Sequence, residues 1–76
     1  MYIAALTSNA WQGKRYVNNG SLPGEPGRQL LTSDRAEAYR FERRSAAGAE
    51  ARETARDEGV LQEAGPSDVC WNVEEA

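Results

Sequence analysis

The side chains able to do chemistry in this 76-residue chain are one cysteine, twelve carboxylates and nine basic groups, and there is no histidine. Cys70 has no imidazole to deprotonate it, so a Cys–His nucleophile is not expected. One thiol and scattered carboxylates do not supply a zinc or calcium ligand set. Residue types alone allow a glycosidase-like carboxylate pair, but so short a chain leaves little room for a cleft. We therefore expect a protein that is not an enzyme and holds neither metal nor cofactor.

The arginine side chains could bind phosphates or acidic partner surfaces. Arg40, Arg43 and Arg44 are spaced i, i+3, i+4, so on a helix they would form one basic face for a phosphate backbone or an acidic partner surface. Lys14 and Arg15 would extend this face if the fold brings them close. The alternative is an ordinary solvated helix face. The net charge of −3 and the pI near 4.9 argue against a dedicated nucleic-acid binder.

A second charge pattern is acidic. Glu50, Glu53 and Asp57 share a helix face and could mimic a row of phosphates, but Arg52 and Arg56 lie close beside them. We favour an ordinary surface over mimicry. The residues expected to bind a partner are therefore Trp11, Lys14, Arg15, Arg40, Arg43 and Arg44.

The two tryptophans have different expected places. In the last segment of the chain, Val69, Trp71 and Val73 alternate with Cys70, which indicates a strand with Trp71 on its core face. Trp11 precedes a turn and has Asn9, Gln12 and Gly13 as neighbours in the sequence. Trp is enriched at binding hot spots. The sequence leaves open whether Trp11 binds a partner or packs beneath the helix.

Two further strands are expected near the start of the chain. The alternating run at 2–6 is typical of a strand, and residues 14–17 form a second one after a turn at 8–9. The Asn-Asn-Gly at 18–20 then predicts a tight turn. The glycine- and proline-rich segment 20–27 predicts a loop.

A helix is predicted over residues 34–58, with Asp34 at its N-cap and Gly59 just beyond its end. The alternative is a shorter helix that begins at Ala46, with Ser45 at its N-cap and 39–43 extended as a strand. Under both interpretations, small residues share one face that suits close packing on a sheet: Ala47, Ala51, Thr54 and Ala55.

Length and composition bound the architecture. Leu, Ile, Val and Phe make up 11 of the 76 residues, below the roughly 20% usual for a packed domain, yet the net charge is too small for a disordered chain. We expect one marginal domain spanning 1–76, of the α+β class. Its predicted fold is a three-stranded antiparallel sheet with one helix packed on one face, in the order ββαβ. The chain has no signal-peptide pattern and no long apolar run, so we expect a cytoplasmic protein that does not bind membranes.

Three segments carry a resemblance to the small anti-CRISPR proteins of phages and mobile elements: MYIAALTSNAWQGKRYV, AGAEARETARDEGV and DVCWNVEEA. The chain is most similar to inhibitors of type I CRISPR-Cas systems of GC-rich bacteria, including type I-C. This resemblance implies a non-enzymatic protein that binds a host Cas effector complex, or Cascade, and blocks its access to target DNA. It assigns no role to an individual residue.

Two other functions stay open at this point. The first is a regulator or antitoxin-like module that binds a protein of its own operon, although no basic N-terminal arm or ribbon-helix-helix pattern is present. The second is a structural or accessory phage protein, for which a large homo-oligomer would be expected.

Self-association is a further expectation, because a thin core gains from surface buried between chains. Cys70 should face away from the helix, where a two-fold axis can bring it to its copy. We expect a homodimer with Cys70 at or near the interface and a Cys70–Cys70 disulfide in oxidised protein, which a reducing cytosol disfavours. The alternative is that Cys70 is a small buried hydrophobe.

Overall fold

The computed structural model describes residues 1–18, 31–65 and 68–76. Four strands form one antiparallel sheet in the order β3-β2-β1-β4. The elements in chain order are β1 (Tyr2–Ser8), β2 (Arg15–Val17), β3 (Leu31–Thr32), a 3₁₀ turn (Arg35–Glu37), α1 (Arg44–Ala55), α2 (Glu58–Ala64) and β4 (Val69–Glu75). The α+β class is confirmed, whereas three strands and one helix were predicted and the sheet gains the short β3.

Two expectations cannot be placed on this fold. The loop at 20–27 lies outside the described residues, as does most of the turn at 18–20. Within the described ranges, no helix has the length and apolar character needed to cross a membrane.

β1 is the centre of the sheet and is covered on both faces. It pairs with β4 along its whole length, from Tyr2 opposite Glu75 to Ser8 opposite Val69. Because side chains alternate along a strand, β1 contributes to two separate apolar clusters. Its core residues are Ala4 and Leu6 on the face beneath α1, and Ile3 and Ala5 on the opposite face.

The predicted small-residue face of α1 lies where it was expected. Ala47, Ala51, Thr54 and Ala55 are all buried, and the three alanines pack in one cluster with β1. Small side chains let the helix axis approach the sheet closely, so the core is thin. α2 adds Val60 to the same cluster.

The helix predicted over 34–58 is wrong in its first ten residues. Asp34 does accept a hydrogen bond from the Ala36 amide at 2.9 Å, but it caps only the 3₁₀ turn. The chain is then extended, and Phe41 forms two backbone hydrogen bonds with Tyr2, at 2.8 and 2.7 Å. These long-range bonds and the burial of Phe41 outweigh the helix propensity of the segment. The alternative of a shorter helix is therefore correct, with its start at Arg44.

The predicted helix end is also corrected. α1 ends at Ala55, and Gly59 lies inside α2. The left-handed position past a helix end belongs instead to Gly65, with φ of +67°. Its amide donates to the Leu61 carbonyl at 3.0 Å, which closes the last turn of α2.

Trp71 is on the predicted face of β4 but is not a core residue, because 46% of its surface is exposed. β4 is an edge strand, and Trp71 lies at the margin of α1, where it lines an open groove with Gly48 and Arg52. Trp11 is in the core instead, with 9% of its surface exposed. The prediction of a core position is therefore wrong for Trp71, and of the two places left open for Trp11 the structure has the one in the core.

Gly48, in the middle of α1, predicts a stabilising substitution. A Cβ added there lies 3.7 Å from Val73 Cγ2 and 3.8 Å from Trp71 Cζ3, which is ordinary contact. Since a glycine inside a helix costs about 0.5–1 kcal/mol relative to alanine, we expect Gly48→Ala to raise the free energy of unfolding by that amount in urea titrations. Gly13→Ala is the control: with φ of +81° it should destabilise. A destabilised Gly48→Ala protein would contradict the packing described here.

Candidate protein-binding surface

The structure does not bring the six predicted partner-binding residues into one patch. Trp11 and Arg15 lie together beside α1, while Lys14 reaches over the other face of the sheet. The arginine triplet flanks Phe41, which pairs with Tyr2 at the start of β1, whereas Arg15 pairs with Leu6, four positions or roughly 13 Å further along the strand. The predicted single face of Arg40, Arg43 and Arg44 is wrong, because Arg40 is in the extended segment and only Arg44 is inside α1.

Lys14 is engaged within the chain. Its Nζ donates to Glu74 Oε2 at 2.6 Å, and Arg35 Nε approaches Glu74 Oε1 at 3.5 Å. The Arg35 guanidinium also donates to the Glu75 carbonyl at 2.7 Å. The hydrogen bond to Lys14 is the main cause that lowers the pKa of Glu74, and the same bond raises the pKa of Lys14. These contacts tie β4 to residues before β2 and after β3.

This ion pair predicts a pH dependence of stability. Because the folded-state pKa of Glu74 lies below its ordinary value of 4.5, its contribution is fully present above that value and is lost as the pH falls through the folded-state pKa. We expect the wild type to be more stable than Glu74→Gln near neutrality, and the two to converge only after the pH has fallen below the folded-state pKa of Glu74. Urea titrations across this range measure the difference, and a difference that persists in acid would contradict the assignment.

Trp11 and Arg15 form a stacked pair. The Arg15 guanidinium carbon lies 5.4 Å from the centroid of the Trp11 ring, within the range of a cation–π contact. Trp11 Nε1 is buried without a hydrogen-bond partner among the described residues. Since the ring belongs to the core cluster, it anchors the turn after β1 rather than an accessible binding surface.

A more accessible surface lies at the start of α1. We call it the Tyr39 groove: an open depression of about 460 Å³ lined by Met1, Tyr39, Arg40, Phe41, Glu42, Arg43 and Ala46. Two of its apolar members are exposed, Met1 with 60% and Tyr39 with 44% of its surface. The Tyr39 ring is held at 4.8 Å from the Phe41 ring in an edge-on contact. Tyr and Arg together are the residue types that dominate protein-binding hot spots.

The Tyr39 groove is electropositive as well as apolar. Arg43 occupies the N-cap of α1 without a side-chain hydrogen bond to the helix, and the first turn holds no acidic residue. Arg44 lies over the Tyr2 ring at 5.6 Å. A helix start carries partial positive charge and favours anions, so this cluster of arginines opposes the helix dipole, with Glu42 as the neighbouring acid. The arrangement would be stabilised by a carboxylate or phosphate from outside.

Tyr39 and Met1 are the residues that sequence reasoning missed. The Tyr-Arg pair at 39–40 is a usable signal for a binding surface. The groove was missed because a helix was predicted through this segment, whereas the Tyr2–Phe41 bridge brings Met1 and Tyr39 together. The acidic side chains considered as a phosphate mimic, Glu50, Glu53 and Asp57, do not form an unengaged row. Asp57 Oδ1 accepts a hydrogen bond from the Val60 amide at 3.4 Å, at the start of α2. Among the described residues, no group of three His, Cys, Asp or Glu side chains is placed to hold a metal ion.

Comparison with known proteins adds no relative. A scan of protein-family models found no matching family, and searches of curated proteins and of solved structures found no match to this chain.

Proposed function

We propose that this chain is a non-enzymatic binding protein that uses the Tyr39 groove to hold an acidic surface of a partner protein. The observation that carries the proposal is the start of α1, where Arg43 stands uncapped beside Arg40 and Arg44 in a position that favours negative charge. Arginines at a helix start, in place of capping acids, depart from the usual sequence preference, and such departures are expected at binding sites. Exposed Tyr39 and Met1 supply the apolar contact that charge alone lacks.

The partner we propose is a type I CRISPR-Cas effector complex of the host, with target-DNA binding as the step inhibited. The resemblance of the chain to small anti-CRISPR proteins supports this choice of target. The Tyr39 groove supports the mode of action, since an inhibitor that works by occupancy needs a surface and no catalytic group. Its arginines and aromatic ring suit an acidic protein surface on the effector.

Binding of purified type I effector complexes, including type I-C, to the immobilised chain tests this proposal. The double variant Arg40→Glu with Arg43→Glu should weaken binding by roughly 30-fold or more, as expected for the loss of a hot spot. The matched control is Arg52→Glu with Arg56→Glu, which makes the same charge change at the other end of α1, away from the groove, and should bind as wild type does. Equal losses in both variants would contradict a role for the groove, and capture of a protein from the chain's own operon instead would favour the regulator function.

Arg43 also predicts a separation of stability from binding. Its backbone is already extended at the N-cap, with φ of −118° and ψ of 138°, so aspartate there can accept from a free helix amide. We expect Arg43→Asp to raise the free energy of unfolding by about 1 kcal/mol while it weakens partner binding. Arg40→Asp, outside the helix, should weaken binding without stabilising the fold. An Arg43→Asp protein that is less stable than wild type would contradict the capping geometry.

A further inference from the structure

The outer edge of β4 is open. β4 hydrogen-bonds to β1 on one side, and no described strand pairs with it on the other. Among the described contacts, only the Glu75 carbonyl at the end of this outer edge is engaged, by the Arg35 side chain at 2.7 Å. An edge strand of seven residues presents a row of backbone donors and acceptors that favours pairing with another strand. Within the described residues, the strand at the opposite edge of the sheet, β3, has two residues and offers no comparable row.

The hydrogen-bond pattern shows which residues of β4 face outward. The Ala76 amide donates to the Met1 carbonyl at 2.8 Å, so residue 76 faces β1. Tyr2 instead exchanges bonds with Phe41, on the side away from β4, so Glu75 opposite it faces outward. Because the direction alternates along an antiparallel strand, the outward backbone groups belong to Val69, Trp71, Val73 and Glu75.

We propose that β4 pairs with β4 of a second copy of this chain, antiparallel, about a two-fold axis through Asn72. This register places Trp71 opposite Val73 and Val69 opposite Glu75 in both directions, so all four outward residues form hydrogen-bonded pairs. At two bonds per pair, the interface gains about eight backbone hydrogen bonds, or about six while Arg35 holds the Glu75 carbonyl of each copy. The result is a closed dimer with one continuous sheet.

Side chains favour this register over its neighbours. It covers the exposed ring of Trp71 with Val73 of the second copy, and aromatic with β-branched pairs stabilise antiparallel strands. Glu74 lies opposite Cys70 and not opposite an acid. An axis through Trp71 would instead place Asp68 opposite Glu74, and an axis through Cys70 would use only two of the four outward residues.

The register also decides the role of Cys70. It is a free, exposed thiol, but in this dimer the two Cys70 residues are offset by four positions, roughly 13 Å along the strands. A disulfide needs Cα atoms about 4.4–6.8 Å apart. The proposed dimer therefore forms without the Cys70–Cys70 bond expected from the sequence, and reductant leaves it intact.

Light scattering and sedimentation of the full chain with reductant test the dimer. The wild type should be dimeric at micromolar concentrations, and Trp71→Lys should raise the dimer dissociation constant at least about tenfold while the far-UV circular dichroism stays native. Leu61→Lys, at another exposed apolar side chain on α2, is the matched control and should remain dimeric. A wild type that is monomeric up to high micromolar concentration overturns the proposal, as does a Trp71→Lys protein that dimerises as well as wild type. A monomer whose β4 edge binds an extended peptide also overturns it.

Oxidative cross-linking tests the register independently. Asn72→Cys in a Cys70→Ser background places two thiols directly opposite each other, so non-reducing gels should show a covalent dimer that forms quickly. The wild type should form one slowly or not at all. The reverse result, with fast bonding through Cys70, overturns the Asn72 register. Both experiments stand apart from the binding of a Cas complex, so either proposal can fail alone.

Discussion

Leu6→Ala is expected to lower the free energy of unfolding by about 3 kcal/mol, within the range of roughly 2–5 kcal/mol for buried leucines. Leu6 is fully buried in β1 beneath α1. A domain of this length has a total stability on the order of 4–11 kcal/mol at the usual value per residue, so one core leucine carries a large part of it. Urea denaturation followed by circular dichroism measures the change.

Leu61→Ala is the matched control for this prediction. Leu61 lies on α2 with 43% of its surface exposed, and surface substitutions usually stay within about 0.5 kcal/mol. The same chemical change should therefore have a small effect at Leu61 and a large one at Leu6. Similar losses at the two positions would show that β1 is not the buried centre of the sheet.

Ala51→Glu is expected to prevent folding. Ala51 is fully buried on the face of α1 that lies against β1, and the closely packed alanines leave no room for a carboxylate or for water to reach it. An unpaired buried charge costs several kcal/mol, which is comparable to the whole stability of the domain. The far-UV circular dichroism of the variant should be that of an unfolded chain.

Ala49→Glu makes the same substitution two residues away on the exposed side of α1. Glutamate is a good helix former, so this variant should fold and unfold much as the wild type does. The pair of variants tests the orientation of α1 directly. A folded Ala51→Glu protein would mean that α1 presents another face to the sheet.

The apolar run at 2–6 and the alternation at 69–73 were enough to predict β1 and β4, and β2 was predicted from the short segment that follows the turn at 8–9, because all three signals are local. The small-residue face of α1 was likewise visible as a helical spacing of Ala47, Ala51 and Ala55. The start of α1 was not visible in the same way. Ala38 and Arg40 are good helix formers. Residues 38–41 are nevertheless extended, because Phe41 pairs with Tyr2, a contact across 39 positions of the chain.

The candidate site failed to emerge from the sequence for the same reason. The Tyr39 groove unites Met1 with residues near the start of α1, and no local spacing encodes that meeting. Lys14 and Arg15 are neighbours in sequence, yet they point to opposite faces because they enter a strand. Trp71 matched the alternation of a core residue, but only the strand order shows that β4 is an edge.

The start of α1 faces two conflicting demands, since stability of the helix favours an acid at position 43 and the proposed binding favours an arginine. Aspartate in place of Arg43 would suit the isolated domain better, because helix starts favour capping acids. The proposed function explains why an arginine there is useful: it presents positive charge beside the exposed ring of Tyr39. Stability gained with binding lost in Arg43→Asp is the signature of that conflict.

We propose that the chain inhibits a type I effector complex by occupying it through the Tyr39 groove. The most direct measurement is the binding of labelled target DNA to purified type I complexes, including type I-C, titrated with the chain and followed by fluorescence anisotropy. We expect DNA binding to fall in proportion to the added chain and to cease at a fixed stoichiometry, whereas Arg40→Glu with Arg43→Glu should leave the DNA bound. Full DNA binding by every type I complex in a large molar excess of the wild-type chain would contradict it.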